Sequence, residues 1–188
     1  MKIYLETERL ILRQFTEDDA DNLFELDSDP DVVRFVDPQY PILRETVVEQ
    51  TIPRLLQYYE FSEGYGLWAA VKKSSGEFIG WFHLRPSPAH DGEIELGYRL
   101  KKSAWGKGYG TEGSRALIQK GFTELGCDRI ISTALAANRA SIRVMEKAGL
   151  QFESIWIYHS RNQTDEPAVK YSLDRKDWEQ QKTLEKVD

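Results

Sequence analysis

The spacing of apolar positions changes several times along the chain, and each change predicts a change of element. Arg9-Leu10-Ile11-Leu12-Arg13 is a short β-prone run. Thr16-Glu17-Asp18-Asp19 then supplies a capping hydroxyl and first-turn acids ahead of Ala20, Leu23 and Phe24, which predicts a helix. Pro30, Pro38 and Pro41 break any periodicity over residues 27–41, so a loop is expected before a second helical stretch from about 44 to 60. Leu67-Trp68-Ala69-Ala70-Val71, a polar turn over 73–77 and Phe78-Ile79-Gly80-Trp81-Phe82-His83-Leu84 read as an antiparallel hairpin, followed by a third strand over 93–100.

Past residue 105 the pattern becomes that of a crossover. A glycine-rich turn over 106–110 opens a helix with Leu117, Ile118, Gly121, Phe122 and Leu125 on one stripe, and the β-branched run 129–135 follows. Strand, helix and strand in that order make a right-handed parallel connection. A further helix is expected from Asn138, with Ile142, Met145 and Ala148 inward and Gly149 ending it. Two strands, 152–158 and 168–173, joined by the polar stretch 159–167, precede a charged tail over 176–188 that is expected to fray. The whole predicts an α/β (α+β) fold with a mixed, mostly antiparallel sheet in a single domain, 1–188, whose core spans about 8–175.

Composition narrows the function classes. Lys and Arg number 25 against 31 Asp and Glu, a net charge of −6, so no broad phosphate-gripping surface and no nucleic-acid partner are expected. Five Trp, eight Phe and nine Tyr supply a substantial core. The lone Cys127 excludes an intrachain disulfide and multi-cysteine metal patterns, and suits a reducing, cytoplasmic setting in which it is inert packing. No apolar run reaches the roughly 18 residues needed to span a bilayer, and Met1 to Glu6 contains no export segment, so the chain reads as soluble and unprocessed with no membrane partner. His83, His90 and His159 show no ligand spacing, and no metal is assigned.

The strongest local signal is Trp105-Gly106-Lys107-Gly108-Tyr109-Gly110-Thr111-Glu112, between a strand and a helix. Glycines there let backbone N–H groups converge on an anion, and the helix start adds partial positive charge, so a phosphate site needs few basic side chains. An ordinary turn without a ligand is the plain alternative. Gly108 to Gly113 also matches the dinucleotide fingerprint literally. However, seven residues, 101–107, separate it from its strand, no acid lies about 20 positions on, and a hairpin precedes it. A P-loop is absent, because Gly108 follows Lys107.

These residues, with Asn138-Arg139-Ala140-Ser141, Glu146-Lys147-Ala148-Gly149-Leu150, Arg9 to Arg13, Trp68 to Val71, Glu95-Leu96-Gly97-Tyr98 and Tyr171-Ser172-Leu173, resemble the GNAT N-acetyltransferases over nearly the whole chain. The nearest branch by this resemblance is the ribosomal-protein N-terminal (Rim-type) group. The resemblance implies a GNAT fold with a central, splayed pair of parallel strands flanked by helices, and acetyl transfer from acetyl-CoA to an amine. It places the diphosphate on the backbone of Gly106, Lys107, Gly108, Tyr109, Gly110 and Thr111, and pantetheine between strands 93–100 and 129–135, with Tyr98, Leu100, Trp105 and Asn138 also in the cofactor site. Trp105 stands where the family usually has Arg or Gln, as is familiar in the Rim-type branch.

For the reaction, the resemblance points to Glu95 as base, acting through water, with Glu93 in reserve; the alternative is a strand carboxylate facing solvent. The backbone N–H near Leu100 would hold the oxyanion. Ser141, beside Asn138, would return a proton to the thiolate, unless Asn138 is simply the helix N-cap and Ser141 a first-turn residue; a Tyr such as Tyr158, or water, could serve instead. Glu25, Asp27, Asp29, Asp31 and Asp37 could draw in a cationic amine or form only a solvated face. Trp68, Trp81 and Phe82 are the aromatic candidates for an amine wall, although a hairpin core also accounts for them. The expected acceptor is a protein N-terminal α-amine, the alternatives being a polyamine, amino acid or amino-sugar, or a catalytically silent CoA-binding regulatory module. Exposed strand edges leave room for a homodimer.

Overall fold

The computed structural model describes residues 2–36, 42–62, 64–160 and 165–184. In chain order the elements are β1 (Ile3–Glu6), β2 (Leu10–Arg13), α1 (Ala20–Ser28), α2 (Pro30–Val33), α3 (Arg44–Thr46), a π turn (Val47–Thr51), α4 (Ile52–Phe61), β3 (Gly66–Lys72), β4 (Phe78–Pro86), β5 (Ile94–Leu100), α5 (Tyr109–Thr123), β6 (Arg129–Leu135), α6 (Arg139–Lys147), β7 (Gln151–His159), β8 (Asp165–Asp174) and α7 (Arg175–Leu184). The eight strands form one mixed sheet in the order β1-β2-β3-β4-β5-β6-β8-β7. Its parallel pair is β5 with β6, in register at Ile94↔Ile130 and Glu95↔Ile131, while β6 pairs antiparallel with β8 along its full length from Arg129↔Asp174 to Leu135↔Ala168. The central parallel pair within a mixed sheet is the arrangement that the resemblance implies.

Residue contacts group the chain into two compact units, 1–83 with 98–113, and 84–97 with 114–188. The first unit buries Phe15, Leu23, Leu26, Val47, Ile52, Ala69 and Phe78 in one cluster. The second Arg of the β2 run, Arg13, turns inward and holds the buried Asp19 through two hydrogen bonds, Nη1 to Oδ2 at 2.6 Å and Nη2 to Oδ1 at 2.8 Å. The expected helix over 44–60 is present but widened by the π turn just ahead of Pro53, which has no N–H to give to the preceding turn. The expected loop over 27–41 contains α2 where Asp29 accepts from Asp31 N–H at 2.9 Å and Pro30 sits at the first helical position. Residues 37–41 of that loop, Asp37 included, and residues 161–164 of the 159–167 stretch lie outside the described residues.

In the second unit, Leu117, Ile118, Phe122, Ile130, Ile131, Ile142, Met145 and Leu173 are buried. Gly121 lets α5 sit close, because a Cβ there would stand 2.8 Å from Ile130 Cδ1. Two expectations are corrected. β1 adds an eighth strand, its Tyr4 ring stacked 3.8 Å from that of the buried Trp68. The charged tail does not fray from 176: Arg175 donates to the carbonyls of Phe122 (2.5 Å) and Cys127 (2.7 Å), Trp178 packs 5.3 Å from Phe122, and Gln181 donates to Gly149 O at 3.1 Å. These contacts draw a helix that is polar along most of its sequence into the unit. No helix among the described residues is long and apolar enough to cross a membrane.

Candidate active site

In the first unit, β5 leads through Lys102–Ala104, one turn of 3-10 helix, into the glycine loop and α5. Gly106 and Gly108 have φ of +70° and +82°, values L side chains rarely adopt, so the sequence's glycines are what permit the turn. Glu112 N–H is the first to bond back, to Gly108 O at 3.0 Å, which leaves the amides of Tyr109, Gly110 and Thr111 as the orphan donors of a 15-residue helix. Donors of this kind, at the positive end of the helix, suit an anionic diphosphate. The Trp105 indole N–H donates to Leu100 O at 2.8 Å, so the aromatic residue at the head of the motif braces the loop against the end of β5. Arg9 approaches from the other side, donating to Lys107 O at 2.9 Å and to Glu112 Oε2 at 2.6 Å. Gly113 packs against Phe82, whose ring a Cβ would enter at 2.3 Å. Tyr98 lies 5.6 Å from the same ring.

In the second unit, two carboxylates two residues apart, Glu93 just ahead of β5 and Glu95 on it, meet contrasting surroundings. Among the described residues Glu95 is held by hydroxyls alone: Thr133 donates to Oε1 at 2.8 Å and Ser87 to Oε2 at 3.1 Å. Ser87 Oγ in turn accepts from the amides of Ala89 (3.3 Å) and His90 (3.2 Å), which commits its proton to Glu95. No cation among the described residues pairs with Glu95. Glu93, by contrast, takes hydrogen bonds from Lys170 Nζ and, at 3.3 Å, from Arg129 Nε. Arg129 also reaches Glu153 (2.6 Å) and Asp174 (2.8 Å). Burial alone would lower the Lys170 pKa, but its bonds to Glu93 and Glu153 outweigh it and the net direction is up, so the ammonium stays charged among these acids. Glu93 therefore belongs to an ion network that ties the start of β5 to β6, β7 and β8.

Asn138 caps α6, its Oδ1 accepting from Ser141 N–H at 3.1 Å, and the half-buried Ser141 hydroxyl makes no bond to another described residue. Tyr158 lies on the edge strand β7, opposite Glu166. The acids of α1 and α2 are not an open cationic attractant: Glu25 pairs with Lys101 (2.7 Å), Asp27 with Arg99 (2.5 Å) and Asp31 with Lys102 (2.5 Å), while Asp29 is a cap. Trp68 and Phe82 are buried, so they form no amine wall, and Trp81 lies under the Arg99 guanidinium at 5.1 Å.

The description "Acetyltransferase (GNAT) domain" matches residues 9–151. The chain belongs to the GNAT acetyltransferase family. A GNAT chain of this kind is an acetyl-CoA-dependent N-acetyltransferase. It is 29% identical over 186 residues to the FsC-acetyl coenzyme A-N(2)-transacetylase of Aspergillus fumigatus, covering 93% of this chain and 77% of that protein. Two solved structures share the GNAT fold. One is RimL, a ribosomal alpha-N-protein acetyltransferase in complex with coenzyme A: TM-score 0.76, 18% identity, 92% of this chain and 98% of that one. The other is spermidine N-acetyltransferase from Vibrio cholerae with CoA and spermine: TM-score 0.74, 13% identity, 90% and 97% covered.

Thr7 and Ser87 carry no signal in the sequence, and Arg9, Glu112 and Thr133, although they stand in the motif and strand runs, are given no task by it. Thr133 is 38 residues from Glu95 and Glu112 is 103 from Arg9, so only strand pairing and helix docking bring them together. Gly80 was legible in principle as an isolated glycine inside a strand. It has φ +137°, and a Cβ there would stand 2.1 Å from Arg99 O, so β4 approaches β5 too closely for any side chain.

Proposed function

We propose that this GNAT enzyme is of the Rim type and acetylates a protein N-terminal α-amine by direct attack on acetyl-CoA, with Glu95 receiving the amine's proton. The observation that carries this reading is the contrast at the start of β5: Glu93 is consumed by Lys170 and Arg129, whereas Glu95 is oriented by two hydroxyls and has no counter-ion among the described residues to compete with an incoming ammonium. The glycine loop supports diphosphate binding by Gly106 to Thr111, with Trp105 bracing it from Leu100. Tyr98 and Asn138 complete the cofactor-binding set by their motif positions.

Acetyl-CoA supplies a thioester whose C–S bond breaks as the amine nitrogen bonds to the carbonyl carbon. Glu95 takes the proton from that nitrogen through water, the Leu100 region supplies an N–H to the oxyanion, and the Ser141 hydroxyl relays a solvent proton to the departing thiolate. A single carboxylate suffices for an α-amine, which at pH 7 is already about one-tenth neutral, whereas an alkylamine near pKa 10.4 is neutral only about four times in ten thousand. The A. fumigatus relative, named for an N(2) acceptor, supports a small-molecule amine as the second reading.

The test is CoA thiol release across a panel of peptides with free N-termini, the same peptides blocked at the N-terminus, polyamines and amino acids. Turnover confined to free N-termini is expected. Turnover with polyamines or amino acids alone would replace the acceptor, and none with any amine, despite CoA binding, would refute catalysis.

A further inference from the structure

The structure assigns Arg9 the role of a positioning residue for the cofactor loop: it fixes the Lys107–Gly108 peptide and cancels the charge of Glu112, so that the loop amides face the diphosphate of acetyl-CoA. This rests on the reading of the glycine loop as the diphosphate site. Arg9 stands just ahead of β2, 98 residues before the loop, yet one side chain serves three of the loop's positions. Its Nη1 donates to Lys107 O (2.9 Å), its guanidinium lies 4.6 Å over the Tyr109 ring, and its Nε and Nη2 grip Glu112 Oε2 at 2.6 Å and 2.5 Å. The Arg9 backbone N–H adds a bond to Glu112 Oε1 at 2.9 Å, and Thr7 Oγ1 another at 2.5 Å.

Two physical consequences follow. In a trans peptide the C=O and the next N–H point in opposite directions. Holding Lys107 O against Arg9 therefore aims the Gly108 N–H away from Arg9, with the peptide plane fixed before any ligand arrives. The second consequence is electrostatic. Glu112 lies in the first turn of α5, where its negative charge would repel a diphosphate. Burial alone would raise its pKa, but hydrogen bonds from Thr7 and Arg9 outweigh that and bring it down, so the carboxylate stays charged and its cancellation depends on the guanidinium. The same contact explains Gly108 a second time: beyond its φ of +82°, a Cβ there would crowd Arg9 Nη2 at 3.3 Å.

The experiment compares the parent with Arg9→Met, Arg9→Lys and Gly108→Asp. CoA affinity is measured by calorimetry, and turnover with acetyl-CoA and with S-acetylpantetheine, which lacks the diphosphate, using one accepted amine. For Arg9→Met, a rise of about tenfold or more in the CoA Kd and in KM for acetyl-CoA is expected, with kcat/KM for S-acetylpantetheine within about twofold of the parent. Arg9→Lys keeps the charge without the planar fork and should lose several-fold in CoA affinity; it carries the test if the Met variant does not fold. Equal losses with both thioesters would mean that Arg9 only holds the fold, and parent-like CoA binding in both Arg9 variants would equally overturn the proposal. Gly108→Asp separates the underlying reading: if it binds CoA as the parent does, the loop is not the diphosphate site. If it abolishes binding while the Arg9 variants bind normally, the site stands and the role of Arg9 falls.

Discussion

Glu93 just precedes β5 and Glu95 lies on it, and replacing each by Gln should give opposite phenotypes. In Glu95→Gln the amide oxygen can still accept a hydroxyl hydrogen bond from Thr133 or Ser87, so the stability cost should stay within about 1 kcal/mol. Without a proton acceptor, the amine must arrive neutral. At pH 7 that costs about tenfold for an α-amine and about 2,500-fold for an alkylamine of pKa 10.4, and the variant's rate should climb about tenfold per pH unit up to the pKa of the amine. The size of the loss thus reads the acceptor class as well as the role. Glu93→Gln should leave kcat within about twofold but remove one carboxylate from the buried Lys170, which keeps Glu153 at 3.3 Å, at a cost of about 1 to 3 kcal/mol. Thiol release from pH 6 to 10 and urea unfolding at constant m-value measure the two axes. A parent-like pH profile in Glu95→Gln, or an equal loss of kcat in Glu93→Gln, would refute the division of labour.

Asp19→Asn should destabilise by about 3 to 5 kcal/mol in urea, because it leaves the Arg13 guanidinium facing a neutral partner at a buried site. Arg13→Met with Asp19→Leu should recover much of that loss, and failure to do so would show that the pair is not the origin of the effect. Burial alone would raise the Asp19 pKa, but the hydrogen bonds from Arg13, Thr16 N–H and Asn22, with the Arg13 charge, together outweigh it and the net direction is down. Its contribution is therefore full above the ordinary carboxyl value of 3.8 and is lost as pH falls below it toward the depressed folded value, an acid limb that Asp19→Asn should flatten. Gly80→Ala should cost about 2 to 4 kcal/mol, since positive φ and the Arg99 carbonyl both oppose a Cβ, and a thermal shift near zero would contradict that geometry.

The parts legible in the sequence were those with a local cause. Apolar spacing gave the hairpin, the crossover helix and seven strands, and the run from Trp105 to Glu112 gave the turn, because glycine φ and helix-end amides are properties of neighbouring residues. β1 escaped because four residues alternating only weakly carry little signal. The tail helix escaped because its anchors, Phe122, Cys127 and Gly149, are distant in sequence. The sequence by itself determined the element types, the glycine turn and the presence of two acids two residues apart at the start of β5. Only the tertiary structure decided which acid is ion-paired and which is hydroxyl-bound, and that Arg9 reaches the loop at all. The physical reason is that a side chain's charge environment is set by strands and helices that meet across tens of residues, where periodicity carries no record of the partner.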